Sequence, residues 1–304
     1  MEPKPSNIAT VGHFSIDSIL LPNRPHALMM LGGSVTYASI VTRRLEENVS
    51  IISRVGRDFP EAYIWWLKQE GIDLSGVVRS ETETTTRFEL EYNNDLSNRT
   101  LKLINRAGPI KLDDLPENLH AKAIHIAPIA GEISVEVVKR LKQCTDVLAF
   151  DPQGMLRRFD EAGNVTCCSL MDKSMLDLIN IYKSSSNELS ILTGQSNLKA
   201  AIKAIHDHGV KIVIVTMGVK GAVVSVEKNI FNVPVFEPKA FVDPTGAGDA
   251  FMGAFLAEYN RDGDSFWCAC VGSAAASIVV EGLGPTCIGD KDEIYRRAEA
   301  LYEK

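Results

Sequence analysis

The sequence predicts an α/β protein with a mainly parallel central sheet flanked by helices and a small β-sheet lid. Short, wholly apolar runs recur along the chain: Ile8 to Val11, Val49 to Ile52, Ala123 to Ile126, Val147 to Phe150 and Ile212 to Val215. Such runs suit strands buried on both faces. Helical patterns lie between many of them. Tyr63, Ile64, Trp66 and Leu67 make an apolar face that stops before Gly71, and Leu198, Ala201, Ile202 and Ile205 do the same before Gly209. Strand, helix, strand alternation calls for crossover connections, hence parallel neighbours.

The lid rests on a third observation. From Arg87 to Tyr92 apolar and charged residues alternate strictly, with Phe88, Leu90 and Tyr92 on one face. A second extended stretch, Thr100 to Ile104, follows the turn-rich Asn93 to Asn98, so the pair reads as a hairpin. Its apolar face needs a cover, and a ligand beneath a lid or a partner subunit would both serve. Ser15 to Met30 is a candidate for further lid strands.

Composition narrows the function classes. The 304 residues are 45% hydrophobic and 23% charged, enough for one large core with a smaller appendage. The net charge of −7 and the lack of any run of five basic residues argue against nucleic acid and for a small, diffusible substrate. No apolar stretch approaches the 18 or so residues of a membrane span, and Met1 to Asn7 lacks the basic start and apolar run of a signal peptide. A cytoplasmic protein is expected. The cysteines at 144, 167, 168, 268, 270 and 287 form no C-x-x-C pair, so neither zinc site nor disulfide framework is implied.

The segment Phe241 to Phe251, Phe-Val-Asp-Pro-Thr-Gly-Ala-Gly-Asp-Ala-Phe, carries the chemistry. An apolar strand end meets a glycine-rich turn and then a helical run, Ala250 to Tyr259. Small residues at Gly246, Ala247 and Gly248 let backbone N–H groups crowd around an anion at the positive end of that helix. A phosphoryl group in transfer gathers charge on its oxygens and suits such a cradle. Asp249, in the first helical turn, is placed to take a proton from an attacking hydroxyl. The same residues also suit a plain tight turn with an aspartate capping a helix.

The full string resembles the D-[T/P]-x-G-A-G-D signature of the PfkB (ribokinase-like) carbohydrate kinases, and it lies in the final quarter of the chain, as in that family. Gly12 to Asp17 looks like the segment whose aspartate binds substrate hydroxyls, which points to Asp17. Gly32-Gly33-Ser34-Val35-Thr36-Tyr37-Ala38 is similar to the di-glycine motif, with Tyr37 where many sugar kinases have Asn. Val55 to Asp58 and Gly71 to Asp73 match structural framework. Ser185 to Glu188, before Leu192-Thr193-Gly194, resembles the N-x-x-E segment, so Glu188 inherits a role in organising magnesium through water. Thr216-Met217-Gly218-Val219-Lys220-Gly221 is similar to the T-x-G-x-x-G turn that touches nucleotide phosphates, and Ala274 to Ser277, with Ala275, resembles the wall beside adenine. Asp151-Pro152-Gln153-Gly154-Met155-Leu156-Arg157, together with Arg106 to Ile110, looks most like the archaeal and plant branch that includes myo-inositol kinases. Gln153 and Arg157 are therefore candidate substrate ligands. For Arg157 an ion pair with Asp151 that shapes the loop stays open.

The resemblance implies a ribokinase-like three-layer sandwich over 1–304, with lid strands inserted at about 15–31 and 84–108. It implies a kinase using ATP and Mg2+, with a monovalent cation such as K+ near Asp243 and a dimer through the lids compatible with it. A myo-inositol-like acceptor is favoured. A nucleoside, ribose or 2-keto-3-deoxygluconate-type sugar acid is the alternative. A dehydrogenase would need G-x-G-x-x-G after the first strand, and a P-loop kinase G-x-x-x-x-G-K-[S/T]; neither occurs. A sensor that kept the fold and lost catalysis is the remaining class.

Overall fold

The computed structural model describes residues 7–22, 24–94, 99–169, 172–227 and 229–303. The polar lead before Asn7 and the Asp95 to Asn98 part of the expected hairpin turn lie outside these. The strands and helices are β1 (Ile8–Val11), β2 (Ser15–Leu20), β3 (Leu28–Gly32), α1 (Ser34–Arg44), β4 (Val49–Val55), α2 (Glu61–Gln69), β5 (Asp73–Arg79), β6 (Thr86–Tyr92), β7 (Arg99–Asn105) and β8 (Ala121–Ile126). There follow α3 (Val135–Lys142), β9 (Thr145–Phe150), β10 (Arg157–Phe159), β11 (Val165–Cys167), β12 (Ile181–Ser185), α4 (Ser186–Thr193), α5 (Leu198–His206), β13 (Ile212–Thr216), β14 (Ala222–Val226), β15 (Asn229–Val233), α6 (Ala247–Tyr259), α7 (Ser265–Val279) and α8 (Lys291–Tyr302).

Nine strands form one sheet in the order β15-β14-β13-β12-β9-β8-β1-β4-β5, parallel except for β14 and β15. Its strands are apolar on both faces, and successive residues go to opposite sides. Ile8 joins a core with residues of α1, α6, α7 and α8, whereas Ala9 joins one with residues of α3, α4 and α5. Two cores on one sheet make three layers. The chain winds from β1 toward β5 on one side and from β8 toward β13 on the other. The connections after β1 and β8 therefore diverge at the carboxyl edge, where open α/β sheets hold ligands.

The second sheet has the order β3-β2-β6-β7, with β2 and β6 parallel and the β6 to β7 pair an antiparallel hairpin. The apolar face of β6 is covered by the protein itself: Phe88, Leu90 and Tyr92 share a cluster with Ile129 and Ala130 of the main body, and Phe159 packs against it. No second copy is required to cover it. The short β10 and β11 hairpin and the β12, β14 and β15 strands are not marked by the apolar runs singled out from sequence. Lys183 interrupts β12, and β15 is mostly exposed.

Helices α1 and α6 cross in close contact, and this sets the site. A Cβ on Gly253 of α6 would lie 2.3 Å from the Ala38 carbonyl oxygen, and Thr42 of α1 donates to the Gly253 carbonyl at 3.2 Å. Substituting Gly253→Ala forces the helices apart, and overpacking of this kind costs about 1–3 kcal/mol. The expected result is a lower urea midpoint with an unchanged m-value; an unchanged midpoint would show that the crossing has room to give.

Candidate functional site

The two glycine-bearing turns meet at the carboxyl edge of the sheet. Gly33 caps α1 at φ 92°, and Gly246 caps α6 in the left-handed region at φ 81°. A Cβ on Gly246 would fall 2.2 Å from the ring of Tyr37, so the buried tyrosine and the turn fit only with glycine there. Between them lies a cavity of about 410 Å³, counting its open mouth, lined among others by Asp17, Tyr37, Arg99, Gln153, Arg157 and Asp249. The sequence-predicted Gly33 and Gly246 line it too, and Gly32 packs beneath the Asp17 carboxylate.

Asp249 opens onto this cavity and is held from two sides. Gln153 Nε2 donates to Asp249 Oδ1 at 3.0 Å and to Ser34 Oγ at 2.7 Å. Arg157 orients that amide by donating to Gln153 Oε1 at 2.9 Å, while its other arm donates to the Ile129 carbonyl at 2.8 Å. Burial raises the pKa of Asp249, Lys183 opposes the rise and Asp151 adds to it. A carboxylate held above its ordinary range is a better base near neutral pH.

At the start of α6 the cradle is smaller than the sequence suggests. Ala247 N–H is already bonded to the Pro244 carbonyl at 3.2 Å, whereas Gly246 and Gly248 N–H have no main-chain acceptor among the described residues. Unbonded amides at a helix N-terminus suit an anion. Asp243, one residue before Pro244, is buried; its Oδ1 accepts from Tyr92 Oη at 2.8 Å and Thr245 N–H at 2.9 Å, and its Oδ2 has no partner. Arg99 of the lid donates to Thr245 Oγ1 at 2.8 Å and to Tyr92 Oη at 2.9 Å. The lid is thus tied to the turn that carries Asp249.

Asp17 sits at the floor of the cavity, 6% exposed, with Oδ1 unpartnered. Burial lifts its pKa to about 6 against the pull of Ser15, Arg99 and Arg157. Glu188 closes a capping box on α4, its Oε2 accepting from Ser185 N at 2.8 Å and Ser185 Oγ at 2.7 Å, which leaves Oε1 without a hydrogen bond among the described residues.

The residues expected on the nucleotide side do not line this cavity. Thr216 ends β13, and Gly218 and Lys220 form the tight turn after it. Gly221 is needed for the chain's own packing, since a Cβ there would lie 2.2 Å from the Val233 carbonyl oxygen. Ala275 lies in the core, 1% exposed, and the more open small residue of that helix is Ala276. The proposed Asp151 to Arg157 ion pair is absent. Asp151 pairs instead with Lys183, at 2.5 Å, because both are buried beneath the glycine turn at the start of α6 while Arg157 reaches Gln153. Sequence reasoning missed Ser34, Arg99, Thr245 and Lys183; the signal for Lys183 was a lone charge inside the run Ile181 to Ser184.

Residues 6–289 match the family model of pfkB family carbohydrate kinases, nearly the whole chain. The chain belongs to the pfkB carbohydrate kinase family. Among its relatives are the cytidine kinase of Thermococcus kodakarensis, 27% identical over 91% of this chain and 97% of the relative, and the inositol 3-kinase of Arabidopsis thaliana, 27% identical over 95% and 80%. The fold is ribokinase-like. It superposes with a TM-score of 0.80 on a pyrophosphate-dependent kinase of the ribokinase family complexed with a pyrophosphate analog and myo-inositol, at 23% identity, covering 91% of this chain and 96% of that one. As a pfkB kinase the protein is a phosphotransferase acting on a sugar or polyol. No helix among the described residues is long and apolar enough to cross a membrane.

The buried Asp17 carboxylate, with Oδ1 unpartnered, costs the ligand-free protein stability when it is ionised. Its folded pKa exceeds the unfolded one, so the wild type loses stability as pH rises from about 4 through 6 and the loss is complete above that. Asp17→Asn is expected to raise the stability of the ligand-free kinase at pH 7.5 by up to about 3 kcal/mol. The gain vanishes below pH 4, read from urea unfolding at both pH values. Equal stability of the two proteins at pH 7.5 would contradict the assignment.

Proposed function

We propose that this kinase moves the terminal phosphoryl group of ATP onto a hydroxyl of a compact polyol of the myo-inositol class, with Asp249 as general base. The observation that carries the proposal is the meeting, in one cavity, of the Asp249 carboxylate, the α6-start turn at Gly246 with its unbonded amide, and the unpartnered oxygen of Asp17. Asp17 Oδ1 accepts from acceptor hydroxyls, and Ser15, Ser34, Gln153 and Arg157 stand around the same cavity to meet the others. Phe88, Leu90, Leu101 and Ile129 supply apolar wall for the ring's C–H faces. Many hydrogen-bonding groups around a small, open-mouthed cavity suit a cyclitol or monosaccharide better than a molecule with an extended aromatic base.

Gln153, oriented by Arg157, keeps the Asp249 carboxylate turned to the reacting hydroxyl. Asp249 takes the hydroxyl proton as the oxygen attacks, and the N–H groups of Gly246 and Gly248 stabilise charge on the transferring group. ATP reaches this point from the side of Thr216, Gly218 and Lys220. Glu188, with Oε1 free of hydrogen bonds among the described residues, is the carboxylate that would hold magnesium through water, and the ion would draw charge from the phosphate oxygens of ATP. The orphaned Oδ2 of Asp243 suits a monovalent cation such as K+. The lid ties of Tyr92 and Arg99 exclude water from the closed site.

Two experiments test this reading. Asp249→Asn is expected to lower kcat by about two orders of magnitude or more while nucleotide affinity stays close to wild type. Wild-type turnover in the variant would remove Asp249 as base. A coupled assay with ATP, ADP or pyrophosphate against myo-inositol, nucleosides, ribose and 2-keto-3-deoxygluconate should give its highest kcat/KM with ATP and myo-inositol. Binding with no transfer to any acceptor would instead mark a sensor.

A further inference from the structure

We infer that Lys183, paired with Asp151 beneath the phosphoryl cradle, is a positioning residue that sets the basicity of Asp249 and holds a positive charge against the start of α6. The inference rests on the reading of Asp249 as base. Lys183 lies in the middle of β12, is 5% exposed, and its ammonium lies 2.5 Å from Asp151 Oδ2. A Cβ built on Gly248 would come within 2.9 Å of Lys183 Nζ, so the ammonium rests directly on the backbone of the cradle. An ammonium has three donors, and only the one to Asp151 is used by the protein among the described residues.

The pair is also wired to Asp249 through the chain. Asp151 Oδ1 accepts from Gln153 N–H at 3.2 Å, and the side chain of that same Gln153 donates to Asp249. A buried ion pair adds little net stability over an apolar pair of the same size, because desolvating two charges costs several kcal/mol. Its place beneath the one turn where phosphoryl charge would gather gives it a use that stability does not.

The charges around the two groups are few. Lys183, Asp151 and Arg157 act on Asp249, and Asp249 in turn acts on Tyr37 of α1. Lys183 also faces Glu188 of α4 and His125 of β8, whose ring is pushed down to about 3 by burial and by Lys183 and so stays neutral over the working range. Lys183 is the strongest of the charges opposing the upward shift of Asp249, and Asp151 works the other way. Asp17 titrates at about 6 in the same cavity, but Lys183 and Asp151 are not among the charges that move it.

The test is the pH dependence of kcat/KM for the acceptor. Activity needs Asp249 ionised, so the rate rises with pH through its pKa, and a higher pKa moves that rising limb to higher pH. Lys183→Met is expected to move the limb up by about one pH unit, the usual effect of losing a neighbouring opposite charge, and to lower the plateau. Lys183→Arg should restore the limb to near its wild-type position, and Asp151→Asn should move it down. A merely structural role would lower the rate at every pH without moving the limb, and that result overturns the inference. If Lys183→Met fails to fold, Asp151→Asn alone decides: a limb that stays in place overturns it, a limb that moves down supports it. Turnover that survives Asp249→Asn would instead sink the base assignment, and loss of turnover there with unmoved limbs would sink this inference alone.

Discussion

The contact of α6 with α1 is the constraint on which the site depends. Gly253 against Ala38, and Gly246 against the Tyr37 ring, bring two helix starts from opposite ends of the chain to the same point at the sheet edge. Each start brings polar groups to the cavity. Gly33 and Ser34 open α1, and Asp249 sits in the first turn of α6. Sheet and helices are built so that these two turns face one cavity, and no loop has to place the reactive groups on its own.

The lid is joined to that point by hydrogen bonds as well as by apolar packing. Tyr92 and Arg99 reach Asp243 and Thr245, so the small sheet also touches the turn that leads into Asp249. At the other end, His13 lies where the chain passes from the body into the lid. Its Nδ1 accepts from Thr86 at 2.9 Å and its Nε2 donates to the Gly108 carbonyl at 3.0 Å, while its backbone N–H is held by buried Glu132. Burial lowers the pKa of this histidine and favours its neutral form.

Charge is balanced locally although the chain as a whole is acidic. Asp17, Asp151, Asp243 and Asp249 crowd one region, and Lys183, Arg157 and Arg99 answer them. Desolvation raises Asp17 and Asp249 above the ordinary carboxylate range. Those two carboxylates both line the cavity. Ligand-ready polar groups that are not fully satisfied within the protein are the common thread of the site.

Much of this was legible in the residues. Apolar runs and alternating segments specify strand and helix because burial demands period 2 or 3.6, and the turn from Asp243 to Asp249 specifies an anion cradle because only small residues let amides crowd together. Asp17, Tyr37, Gln153, Arg157 and Asp249 were all marked in sequence and all meet in one cavity. The structure alone decided the partners. Asp151 chose Lys183 over Arg157, Ala275 went to the core, Gly221 was required by Val233, and Ala247 lost its amide to Pro244. The physical reason is that composition and spacing set which groups a segment offers, while distance, burial and competition among neighbours set which of them are left free to bind.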